Sequence, residues 1–143
     1  MMEAPMVVRS ARQIDVRRIS PTDTNYFAIL FDPERDGVDL VSVVEIFAVG
    51  GRTPPNTHAR AHEFFYVLSG EGIAYCDGQA RKIARGDALM LRPGATHQVV
   101  NTGARKLYTL TFMVPNEDFA ELIRAGDPLS LDDEDLRTLT GSC

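Results

Sequence analysis

An all-β domain, a sandwich or closed barrel with short helices at its C-terminal end, is the fold class this sequence predicts, and three features predict it. Seven short segments are rich in Val, Ile, Phe and Tyr, clusters of turn residues separate them, and the apolar period changes to a helical one only beyond residue 115. Many short strands at near-regular spacing are the pattern of sandwiches and barrels.

The first strand-like segment runs from Tyr26 to Phe31 and the second from Val41 to Val49, with Asp36 and Gly37 between them. Gly50 with Gly51, then Pro54 with Pro55, break the chain before the segment Phe64 to Leu68. Gly72 to Cys76 comes next, closed by Asp77 and Gly78. Those two residues accept the positive φ of a two-residue hairpin turn, which sets the register of YCDGQA. Ala88 to Leu91 follows Gly86 and Asp87, Gln98 to Val100 follows Pro93 and Gly94, and Leu107 to Val114 follows Asn101 to Gly103. From Asn116 the stretch NEDFAELIRAG reads as a helix: Asn116 is a good N-cap, acidic residues fill the first turn, Phe119, Leu122 and Ile123 share a face, and Gly126 stops it. Ser130 with Asp133 resembles a second capping box, opening a final helical turn through Leu136 and Leu139. These helices are expected to cover one side of the barrel. The chain therefore reads as a single domain, residues 1–143, with the barrel over about 24–114 and the helical segment over about 116–140.

At 143 residues and 44% hydrophobic side chains the chain suits one globular domain, which at this size buries roughly 70% of its unfolded surface. Cys76 falls in a strand-like segment and Cys143 is the last residue, so no disulfide framework is expected and a reducing, cytoplasmic setting fits. The opening MMEAPMVVRSARQIDVRR has no apolar run of secretory type, and no stretch is apolar for long enough to span a membrane as a helix. A net charge of −5, with only scattered basic residues near Arg17 and Arg18, provides no footprint for nucleic acid. A small-molecule partner is the expectation.

His58, His62 and His97 flank the most strand-like hairpins, with Glu63 beside one of them. A folded sheet can bring His58, Glu63 and His97 to one point, which is a metal-binding pattern. Strand alternation separates the neighbours: if Glu63 faces inward, so do Phe65 and Val67, while His62, Phe64 and Tyr66 face outward. On count alone, ordinary surface histidines are an equal alternative.

The stretch Gly50 to Gly70, GGRTPPNTHARAHEFFYVLSG, has Gly50, Asn56, His58, Glu63 and Gly70 at the spacing of the first cupin motif. The stretch Gly86 to Asn101, GDALMLRPGATHQVVN, has Gly86, Arg92, Gly94, His97 and Asn101 at the spacing of the second. The chain thus resembles a small single-domain cupin, and the resemblance implies a double-stranded β-helix, or jelly-roll, barrel. Two positions depart from the family pattern: Asn56 stands where cupins usually carry the first histidine, and Arg92 where they usually carry a proline. Similar proteins with the full set hold a divalent metal by three histidines and a glutamate. Here the resemblance implies a metal (Fe, Mn, Zn or Ni) on His58, Glu63 and His97, with Asn56 as a fourth or supporting position. Two imidazoles and a carboxylate are also the donor set of non-haem iron(II) oxygenases.

Arg92, on the approach to the site, either clamps a substrate carboxylate or points into solvent, and Phe65, like Phe47, Tyr108 and Phe112, lines either a core or a pocket. Cys76 reads as a small buried residue. The functional expectation is a metal-dependent enzyme, a dioxygenase acting on a small organic acid; cupin isomerases and decarboxylases remain alternatives, although no separate acid or base stands out for them. A non-catalytic barrel that binds a metal or small molecule is the other reading. The resemblance also implies a homodimer, and the outward stripe Phe64, Tyr66 and Leu68 suits burial against something.

Overall fold

Period-two alternation turns into pleated strand wherever one face meets a core. In the computed structural model, which describes residues 4–141, the strands are β1 (Asp15–Arg18), β2 (Asn25–Phe31), β3 (Val41–Phe47), β4 (Asn56–Thr57), β5 (His62–Ser69), β6 (Glu71–Cys76), β7 (Gln79–Ala84), β8 (Ala88–Leu91), β9 (Thr96–Asn101), β10 (Leu107–Val114) and β11 (Asp127–Leu129). Three short helices accompany them: α1 (Pro33–Asp36), α2 (Phe119–Arg124) and α3 (Asp133–Thr140). The strands form an antiparallel seven-stranded sheet, ordered β11-β1-β2-β3-β10-β5-β8, and a four-stranded sheet, ordered β4-β9-β6-β7. The mostly-β expectation is met, with one correction: the two sheets face each other but do not close into a continuous barrel. Asp77 and Gly78 both take positive φ, 47° and 81°, and make the hairpin between β6 and β7 with Cys76 opposite Gln79.

The interior has apolar ends and a polar middle. At one end Phe47, Phe65, Val67, Leu91 and Leu107 of the large sheet pack on Ala74, Ile83 and Val99 of the small one. At the other end Phe27, Ile29, Val41, Val43 and Met113 meet Ala120 and Ile123 of α2. Each side chain fully buried in this way contributes about 1.5–3 kcal/mol. Between them β10 turns Thr109 and Thr111 inward, both buried, and β3 turns Glu45 inward.

The outer face of β2, β3 and β10 is also covered. Val16, Tyr26, Val44, Ile46 and Tyr108 form a second layer against Leu129, Leu131 and Leu139. Of the C-terminal helices α3 covers this side, while α2 closes one end of the interior, and the starts of both differ from the expectation. The capping box at α3 is Asp132 with Asp135, not Ser130 with Asp133. Ahead of α2 Asn116 does accept from the Ala120 amide at 2.9 Å, while the N-cap position itself is Asp118. Cys76 is a free thiol; Cys143 lies outside the described residues. Among the described residues no helix is long and apolar enough to cross a membrane.

Candidate metal centre

Glu63 is the second residue of β5 in the large sheet and His97 the second of β9 in the small one, so the gap between the sheets separates their backbones and their side chains meet inside it. His97 Nε2 lies 2.8 Å from Glu63 Oε1. His58 comes from the loop after β4, where its carbonyl accepts from the Gly94 amide at 2.8 Å. Its Nε2 stands 3.5 Å from the same Glu63 oxygen, too far for a good hydrogen bond. The two imidazole rings are 5.1 Å apart between centroids, and one donor atom from each of His58, Glu63 and His97 lies within 4.8 Å of the others. Donors about 2.1 Å from a shared ion and at right angles to one another are about 3.0 Å apart. The observed spacing fits such an ion, and so does the chemistry of one atom: His58 Nε2 is buried without a hydrogen-bond partner.

Electrostatics tie the three together. Burial pushes the Glu63 carboxyl up, but the close contacts with His58 and His97 outweigh it and hold the group below its ordinary range. The contact with Glu63 in turn raises His58, against the opposing effect of burial. Glu117 supports the loop that carries His58. Its carboxylate accepts from the backbone amides of Ala59, Arg60 and Ala61 at 3.0, 2.6 and 3.0 Å, and its Oε2 lies 3.8 Å from His58 Nδ1. Carboxylates behind metal-binding imidazoles orient them. The sequence placed Glu117 in the first turn of a helix; in the structure it precedes α2 with φ of 51° and faces back to the loop.

The profile of the Cupin domain family matches residues 43–113, about half of the chain, including every residue of this cluster. The chain belongs to the cupin family. Among solved structures this cupin is similar to a predicted oxalate decarboxylase of Thermotoga maritima, at 27% identity and a TM-score of 0.67, covering 76% of this chain and 97% of that one. It is also similar to an RmlC-like cupin of Shewanella frigidimarina, at 23% identity and a TM-score of 0.65, covering 82% and 99%. A further relative is an uncharacterized protein of Methanocaldococcus jannaschii, 29% identical over 79 residues, 55% of this chain; the match spans 63% of that relative's length. The double-stranded β-helix fold of the cupin follows.

A cavity of about 770 Å³ opens beside the cluster, lined by His58, Glu63 and Asn56 together with Asn25, Glu45 and Thr53. Phe27, Met113 and Phe119 form its apolar wall, and Glu121 and Leu122 stand at its exposed rim. Asn56 pairs across the sheet with His97, which sets both side chains on one face. Arg92 is exposed and is not among the lining residues, and Phe65 is in the apolar core at 2% exposure, so neither stands at the cavity. Alternation along β5 runs as read: Glu63, Phe65 and Val67 are buried, Phe64 and Tyr66 exposed, and His62 stacks on Phe64. On β10 the inward positions are the threonines, which leaves Tyr108 in the outer layer and Phe112 exposed. Glu45 went unnoticed in the sequence. Its carboxyl lines the cavity at 2% exposure and accepts one hydrogen bond, from Asn25 Nδ2 at 2.9 Å. Burial first, and the nearby Glu63 second, push it up to about 8.

Proposed function

We propose that this cupin is a metal-dependent enzyme acting on a small organic molecule, with a divalent ion held by His58, Glu63 and His97. The observation that carries the reading is convergence: two imidazoles, each with a buried nitrogen that has no hydrogen-bond partner, and a carboxylate meet beside a cavity large enough for a small substrate. A divalent ion there supplies Lewis acidity and, as iron, oxygen chemistry, with positions open because the protein provides three donors. The rest falls to the chain's own residues. Phe27, Met113 and Phe119 exclude water from one wall, and Asn56 and Asn25 offer amide groups to orient a ligand.

Within this class the donor set favours a dioxygenase. A decarboxylase or isomerase is favoured instead by a specific observation, the buried Glu45 carboxyl in the same cavity. The likeness to a predicted oxalate decarboxylase makes oxalate the first substrate to try. Protein purified without a histidine tag from iron-, manganese- or zinc-supplemented medium should contain about one divalent ion per chain. Oxygen uptake and carbon dioxide release are then measured with oxalate and a panel of small organic acids. Protein with no bound metal under any loading sinks the reading, whereas bound metal without turnover leaves a non-catalytic binding barrel.

A homodimer belongs to the same proposal. Phe64, Tyr66, Met90 and Phe112 form an exposed apolar patch outside β5, β8 and β10, while Leu68 is tucked into the outer layer near Tyr108. Light scattering should find about twice the chain mass of 15.8 kDa; the single-chain mass at micromolar concentration removes the dimer.

A further inference from the structure

Glu45 occupies an unusual position for an acid. It lies near the middle of β3 at 2% exposure, and its carboxyl faces the cavity that Glu63 and His58 also line. A buried carboxylate needs a cation or several N–H donors to remain ionised. Among the described residues Glu45 receives one hydrogen bond, from Asn25 on β2. The hydroxyl of Thr109 on β10 is engaged elsewhere, with the Glu45 backbone carbonyl at 3.1 Å and with Thr111 at 2.9 Å.

The charged groups facing Glu45 are Glu63 from β5 and Asp23 from the segment ahead of β2, and both act against its ionisation. His58 and His97 act on Glu63 instead. No lysine or arginine lines the cavity among the described residues. A ligand oxygen bound beside Glu45 therefore has no lysine or arginine to accept from there. One cavity thus holds two glutamates in opposite environments: Glu63, held ionised by imidazoles, and Glu45, held neutral by enclosure. Such a split assigns acid and base roles.

We propose that Glu45, positioned by Asn25, is the acid of this site, donating its O–H to an oxygen of a substrate bound at the His58, Glu63 and His97 centre and delivering that proton when the reaction leaves an electron pair to be protonated. The inference rests on the metal-centre reading above and moves it toward decarboxylase or isomerase chemistry. In the transfer the Glu45 O–H bond breaks, the substrate's electron pair forms the new bond to hydrogen, and the carboxylate left behind keeps the Asn25 hydrogen bond. Water entering the cavity returns the proton.

The test compares the full chain as wild type, Glu45→Gln and Glu45→Ala, with zinc content measured for each. In infrared difference spectra at neutral pH, the metal-free and zinc-loaded wild type should show a carbonyl band of an un-ionised carboxylic acid. The band should be missing from both variants and should fade in the metal-free protein as pH passes about 8. In calorimetric titration of the zinc-loaded proteins, oxalate should bind about tenfold more weakly to Glu45→Ala than to wild type. In Glu45→Gln, whose amide still donates and whose size protects the fold, affinity should stay within about threefold. Absence of the band at neutral pH overturns the proposal. So does equal oxalate affinity in wild type and Glu45→Ala, including no binding to either. Failure of wild type to take up zinc overturns the metal reading separately, and the band in the metal-free protein then decides whether Glu45 is a cavity acid.

Discussion

Asp135 and Glu45 are sealed from solvent to nearly the same degree, at 1% and 2% exposure, yet the molecule surrounds them in opposite ways. Asp135 belongs to the first turn of α3 and faces inward against the outer side of the large sheet. It accepts from the Tyr26 hydroxyl at 2.7 Å, the Tyr108 hydroxyl at 2.6 Å, Lys106 Nζ at 3.1 Å and the Asp132 amide at 3.1 Å. Burial and the contact with Asp135 push both tyrosines well above their ordinary range, so they stay donors. Glu45, inside, has Asn25 alone. Fully donated, a buried acid pins one element to another; left short of donors beside a cavity, it keeps a proton and a direction in which to use it. The same burial serves structure on one side of the sheet and chemistry on the other.

The contrast breaks most sharply at the outer acid. Asp135→Ala removes the acceptor of two buried tyrosine hydroxyls, while Lys106 keeps its ion pair with Asp132 at 2.6 Å, and urea denaturation should show a loss of about 2–4 kcal/mol. Metal affinity of the folded protein should be unchanged. A loss under about 1 kcal/mol would mean that the outer network is no anchor.

Removing His97 reverses the pattern. His97→Ala should weaken zinc binding by about 100-fold or more, beyond what the loss of a supporting partner costs, as read by competition with a chelating dye. Unchanged affinity would place the ion elsewhere.

Glu45 itself should be visible in the pH dependence of stability. Its folded-state value, about 8, lies above the ordinary 4.5, so between those values the folded chain binds a proton that the unfolded chain has released. Stability of the metal-free protein should therefore fall as pH rises across that window, at up to about 1.4 kcal/mol per pH unit from this group. Glu45→Gln should remove that component. Parallel stability curves for the two proteins would place an ionised carboxylate at position 45.

The smallest effect is expected at Asn56. Its side chain shares a face with His97, so Asn56→His adds an imidazole beside the others and should tighten zinc or nickel by about tenfold, since nitrogen is the better donor for late first-row metals. Equal affinities in metal titration would remove Asn56 from the centre. Any activity found should fall as affinity rises, because a position needed for substrate is filled.

Much of this was legible along the chain because it is local. The β5 alternation is written in the order of residues 62 to 67, one face buried and one not, and the hairpin at Asp77 and Gly78 needs only two residues that accept positive φ. The spacing of His58, Glu63 and His97 within two motifs points to the cluster that the fold assembles. Arg92 and Phe65 did not follow: Phe65 shares the inward face of Glu63 but packs in the apolar end, and Arg92 lies exposed just after β8, so depth and exposure rather than strand face keep them from the cavity.

Tertiary structure alone decided what Glu45, Asp135 and Glu117 do. Every residue of β3 is buried, since the cavity and core lie on one face and the layer under α3 on the other, so VSVVEIF shows no alternation from which an inward acid could be picked out. Asp135 sits in a helix start that reads as a solvent-facing cap, and only the docking of α3 on Tyr26 and Tyr108 buries it. β1 finds β11 more than a hundred residues away, through pairs such as Val16 with Leu129. Short polar segments carry too little periodicity to announce such a pairing. Local pattern determined which side chains alternate and where the chain turns. Which buried carboxyl is supplied with donors, and which is left facing a cavity, depends on groups brought together from distant strands, and no local pattern records it.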